Sequence, residues 1–91
     1  MDMRLKKGFV LRDVCNQKIV AAEGLENINF NKLLSLNSSA AFLWEEVEGK
    51  DFTVQDLADA LVREYGIDGQ LALTDSQRLL DSWRETGVLD E

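Results

Sequence analysis

The chain has 91 residues, 45% hydrophobic and 30% charged, with seventeen acids against ten bases and a net charge of −7. That length makes one domain, 1–91, of ordinary soluble globular composition. A domain of this size buries only about 60–65% of its unfolded surface, which leaves little core in which to hide a deep catalytic cavity. One cysteine and no histidine exclude an internal disulfide and leave the two usual transition-metal ligand types without numbers, so neither a metal nor a cofactor is expected.

In chain order, Met1 to Lys7 show no periodicity and are expected to fray. Residues 9–14 and 18–22 are apolar or β-branched runs separated by Cys15-Asn16-Gln17, the pattern of a hairpin, in which Cys15 is incidental. Gly24 and Asn27 punctuate the turn before a third strand over 28–36, where Ile28, Phe30, Lys32, Leu34 and Leu36 fall on one face. Three short antiparallel strands in the order 1-2-3 thus fill the first 36 residues, with the third at an edge.

That strand runs into a helix without an intervening Gly or Pro. Asn37 or Ser38 can accept a hydrogen bond from the first free N–H groups, and Ala40, Leu43, Trp44 and Val47 then repeat at helical spacing over 38–48 up to Gly49. Thr53 caps a second helix, Asp56 puts negative charge in its first turn, and Val54, Leu57, Ala58, Leu61 and Tyr65 form its stripe up to Gly66. Asp68 caps a third helix over 69–86, closed by Gly87, with Val88-Leu89 packing back behind it. Ala72, Ser76, Leu79 and Trp83 line one face of that helix, and Leu73 and Leu80 form a second apolar flank that either widens the core or lines a groove. Trp44 and Trp83 read as core anchors.

Charge is unevenly spread. Residues 1–44 carry six bases and four acids, a balance of +2, whereas residues 45–91 carry thirteen acids and four bases, a balance of −9. A duplex-binding surface needs clustered Lys and Arg, so this disfavours nucleic acid and suits a basic peptide. There is no Gly-rich phosphate loop and no Ser/His/Asp set. An enzymatic reading would rest on Glu45, Glu46 and Glu48, which lie along a helix surface facing solvent. No apolar run approaches the roughly 20 residues of a membrane span, and the N-terminus lacks a signal-peptide core, so a cytoplasmic protein is expected.

The run Leu36-Asn37-x-x-Ala40-Ala41-x-x-Trp44, then Gly49, Thr53, Leu57, Leu61 and Tyr65, then Asp75, Leu79-Leu80, Trp83 and Gly87 resembles the PqqD-like family over nearly the whole chain. The resemblance implies an α+β fold, a small three-stranded antiparallel sheet followed by three helices, similar to a winged helix-turn-helix. It also implies a non-catalytic role, as a peptide chaperone of pyrroloquinoline quinone biosynthesis or, more widely, as the recognition element for precursor peptides of ribosomally made natural products. In that family the leader segment of the precursor lies between the third strand and the third helix and is presented to a modifying enzyme, of the radical S-adenosylmethionine type or another. Carried over by position, the strand residues are Asn29, Phe30, Asn31, Lys32, Leu33 and Leu34, and the helix residues are Asp75, Arg78, Leu79 and Ser82. Trp83 stands where a smaller apolar residue is common and Ser76 where an aliphatic is common, departures that bear on pocket shape.

From the residues alone, the third strand is a proline-free edge with Lys32 as the one charge on its apolar face. Two readings stay open: an edge covered by a helix or a dimer partner, or an edge completed by an added peptide strand. With Asp75, Asp81 and Glu85 on the third helix, an added peptide is expected to carry aliphatic anchors and at least one Lys or Arg. The alternatives in function are a winged-helix transcriptional regulator and an interaction or dimerisation domain without a peptide client.

Overall fold

A computed structural model describes residues 2–22 and 34–91. Its elements are β1 (Arg4–Leu5), β2 (Phe9–Val14), β3 (Gln17–Ala22), β4 (Leu34–Leu36), α1 (Ser38–Val47), α2 (Val54–Tyr65), α3 (Gly69–Thr86) and β5 (Leu89–Asp90). The expected α+β arrangement is present: β2, β3 and β4 form a three-stranded antiparallel sheet in that order, and three helices follow it. The hairpin turns on two residues, Cys15 at φ 51° and Asn16 at φ 66°. Both are left-handed, as a two-residue turn matched to strand twist requires. Asparagine tolerates that region, whereas cysteine adopts it under strain. Beside the turn, Asp13 and Lys18 face each other across the strands and form an ion pair at 2.7 Å, which helps to hold the register and raises the Lys18 pKa.

The helix boundaries follow local chemistry. The Asn37 side chain accepts from the Ala40 N–H at 2.9 Å, which makes Asn37 and not Ser38 the cap of α1. Thr53 and Asp56 form a reciprocal capping box at the start of α2, each side chain accepting from the other's backbone N–H. Asp68 accepts from the N–H groups of Gln70 and Leu71 to open α3. At the far ends, Gly66 and Gly87 sit at φ 65° and 87°, where a side chain is disfavoured.

The core lies between the sheet and the helices and is built around Trp44 and Trp83, both fully buried as expected. On α1, Ala40, Leu43, Trp44 and Val47 are all buried. α1 packs against the sheet through β2 and β4, while α2 and α3 pack along each other. Val20 is the fully buried residue of β3, and Val88 and Leu89 close the core from behind α3.

Two expectations are corrected. The N-terminus is held in place: β1 pairs antiparallel with β5, Leu5 is buried, and Met3 and Phe52 exchange backbone hydrogen bonds of 2.8 Å in both directions. Runs of two or three paired residues carry no periodicity, so the sequence offers no signal for them. The buried face of α3 is also turned from its expected centre. Leu80 is buried with Ala72, Ser76 and Trp83, whereas Leu79 is only partly buried. The apolar residues of α3 span more than a third of the helix circumference, and only the tertiary packing around the helix decides which of them the core takes. Ser76 is fully buried with its hydroxyl lacking a hydrogen-bond partner.

Candidate peptide-binding site

The turn of α3 that keeps Leu79 out of the core puts it in a cavity. At about 100° per residue, Asp75, Arg78, Leu79 and Ser82 share one face of α3, roughly a quarter-turn round from the buried row. These four expected helix residues line one wall of a cavity of about 570 Å³. The opposite wall is the start of α1, with Asn37, Ser39, Ala40 and Leu43. Leu61 and Tyr65 of α2 and Ile67 of the connection to α3 complete it.

Each lining group is positioned by a local feature. The Asn37 cap fixes the point at which the chain leaves β4 and enters α1, and Ser39 donates its hydroxyl to the same Asn37 oxygen at 3.1 Å. Tyr65, expected on the buried stripe of α2, is instead 47% exposed and meets Phe42 edge-on at 5.8 Å. Leu43 and Leu61 are buried, Ile67 and Leu79 partly so, and they give the cavity an apolar floor. Asp75, Arg78 and Ser82 are exposed at its rim. The cavity therefore offers apolar contact below and two opposite charges above.

The charges on α3 divide between two faces. Asp81 accepts from Gln77 at 3.1 Å and from Arg84 at 3.2 Å, outside the cavity lining. Arg84 also grips Glu91, which holds the Glu91 carboxyl below its ordinary pKa of 4.5. Of the three acids that suggested a basic partner, only Asp75 lines the cavity. Among the described residues no cluster of His, Cys, Asp or Glu is arranged to hold a metal ion.

Of the expected strand residues, Leu34 is described: it starts β4, pairs with Val20, and packs against the core. Asn29, Phe30, Asn31, Lys32 and Leu33 lie outside the described residues. β4 is the last strand of its sheet, and no described strand pairs with its outer side. The α1 and α2 lining was not anticipated. Ile67 alone left a trace in the sequence, as an isolated apolar residue between the stop signal Gly66 and the cap Asp68.

Fold and site together define a small α+β domain in which a three-stranded antiparallel sheet leads into three helices that wall a cavity. The chain belongs to the family described as Coenzyme PQQ synthesis protein D (PqqD), which it matches over residues 19–89. Among curated proteins, none matches the sequence. Three solved structures share the fold. The PqqD part of PqqCD from Methylobacterium extorquens, described as a functional, stand-alone recognition element for ribosomally synthesised and post-translationally modified peptides, superposes with a TM-score of 0.74 at 22% identity, covering 99% of this chain and 89% of that one. A lasso peptide synthetase B1 complexed with its leader peptide gives 0.71 at 20% identity over the whole of both chains. TbiB1 in complex with the TbiA(beta) leader peptide gives 0.70 at 16% identity, covering 96% and 94%.

Proposed function

We propose that this domain recognises the leader segment of a ribosomally made precursor peptide and presents it to a separate modifying enzyme, without catalysing a reaction itself. The observation that carries this reading is the continuity of edge and cavity: β4, whose outer side pairs with no described strand, leads through the Asn37 cap into α1, whose first turns wall the cavity together with Asp75, Arg78, Leu79 and Ser82. A peptide strand added to that edge gains main-chain hydrogen bonds, and its alternate side chains reach the cavity. Asn29, Phe30, Asn31, Lys32 and Leu33, which precede β4, belong to the same proposed strand site. Family membership supports the reading, as do the leader peptides bound by two proteins of the same fold. A radical S-adenosylmethionine enzyme is the proposed modifying partner, and the cytoplasm the proposed location. No helix among the described residues is long and apolar enough to cross a membrane.

The test is a titration of isotope-labelled protein with the leader half of the precursor peptide encoded beside it, followed by NMR. Shift changes on residues 34–36 and on Asp75, Arg78, Leu79 and Ser82 are expected, and Leu79→Asp is expected to abolish them while the domain stays folded. Changes confined to the exposed faces of α1 and α2, or none at millimolar peptide, would refute the reading. Salt-dependent binding to duplex DNA would favour a transcriptional regulator instead.

A further inference from the structure

We infer that Arg78 determines specificity within this site by taking an aspartate or glutamate of the bound segment, next to an apolar anchor seated on Leu79. The inference rests on the peptide-recognition reading above and goes further by naming the chemistry of the segment. Acids outnumber bases by seventeen to ten in this chain, and among the described residues every arginine other than Arg78 is engaged. Arg4 pairs with Asp51, Arg63 with Glu46, and Arg84 with both Asp81 and Glu91. Arg78 is the one base in the cavity lining, and its side chain makes no hydrogen bond or ion pair with any described residue, not even with Asp75 one turn away. A guanidinium presents a planar fork that suits a carboxylate better than any other side chain.

The overall charge of −7 does not oppose this. At physiological ionic strength exposed charges are screened beyond about 8 Å, so the group touching Arg78 decides and the distant acids do not. Asp81, the nearest acid beyond the cavity on the C-terminal side of α3, is occupied by Gln77 and Arg84. Spacing follows from the strand. Side chains on one face of an extended peptide repeat every second residue, at about 6.5–7 Å. Arg78 and Leu79 are consecutive on the cavity face of α3, so the carboxylate and the anchor that meet them should stand two positions apart.

The test uses a displayed library of random 12-residue peptides, selected in parallel on the unmodified protein and on Arg78→Glu. Binders that survive Leu79→Asp are discarded, because they sit elsewhere. The expected pool on the unmodified protein carries an apolar residue with Asp or Glu two positions away, and on Arg78→Glu that acid is replaced by Lys or Arg. A single selected peptide should lose about tenfold in affinity on Arg78→Gln, the loss typical of a charge-assisted hydrogen bond. Because Arg78 is exposed and makes no contact of this kind, both variants should melt with the unmodified protein. A pool that binds the cavity with no acid preference, or is the same on both proteins, overturns the inference and leaves peptide recognition standing. A library with no binder sensitive to Leu79→Asp overturns both.

Discussion

Trp44 and Trp83 meet edge to face, with ring centroids 5.3 Å apart and planes at 82°, and so join α1 to α3, two of the helices that wall the cavity. Phe52 meets Trp83 in the same manner at 6.5 Å. Neither indole N–H has a hydrogen-bond partner in the core, so both rings act through area and shape. Trp83→Ala should cost about 3–5 kcal/mol, much of what a domain of this size possesses. Trp44→Phe loses surface but no hydrogen bond and should cost about 1–3 kcal/mol. Urea denaturation measures both, and equal losses would show that the indole nitrogens matter after all.

Asn37 stands between the edge strand and the cavity, and its oxygen accepts from both the Ala40 N–H and the Ser39 hydroxyl. Asn37→Ala leaves an end donor of α1 without its partner. The expected loss is about 1 kcal/mol, or about 4–8 °C in melting temperature. Asn37→Asp should retain most of the stability, since a carboxylate accepts the same bonds and favours a helix N-terminus.

Leu5 tests the N-terminal tie. It is 5% exposed in a strand of two residues, held by β5 on one side while Met3 bonds to Phe52. Leu5→Ala should therefore cost about 2–5 kcal/mol, the usual penalty for a buried leucine. A frayed end would give no change in the urea midpoint.

The Arg84–Glu91 pair gives an acid-side prediction. Its hydrogen bond lowers the folded-state pKa of Glu91 below 4.5, so its contribution is present above that value and is lost as pH falls through the lower folded value. In Arg84→Gln the Glu91 carboxyl should titrate closer to 4.5, read by NMR of its carboxyl carbon. The stability difference between the unmodified protein and Glu91→Gln should be small at neutral pH, since both partners are exposed, and should vanish in strong acid.

The sequence by itself determined the helices, because their signals are local: Asn37, Thr53 and Asp68 each satisfy N–H groups within three residues, and Gly66 and Gly87 take conformations other residues avoid. It also determined the hairpin and the edge position of β4, since sequential antiparallel strands leave the last one outermost. The family resemblance grouped Asp75, Arg78, Leu79 and Ser82, which fall on one face of α3 and line the cavity; their spacing alone permits that grouping but does not single it out. Only the tertiary structure decided which apolar residues of α3 the core takes. Leu79 and Leu80 are consecutive and equally hydrophobic, and the packing of the helices buried one and left the other in the cavity. The same holds for Tyr65, whose place on the helical stripe does not reveal that the core ends before it. The ties of Arg4–Leu5 to Leu89–Asp90 and of Met3 to Phe52 join segments far apart in the chain through backbone groups, which every residue carries and no side-chain pattern announces.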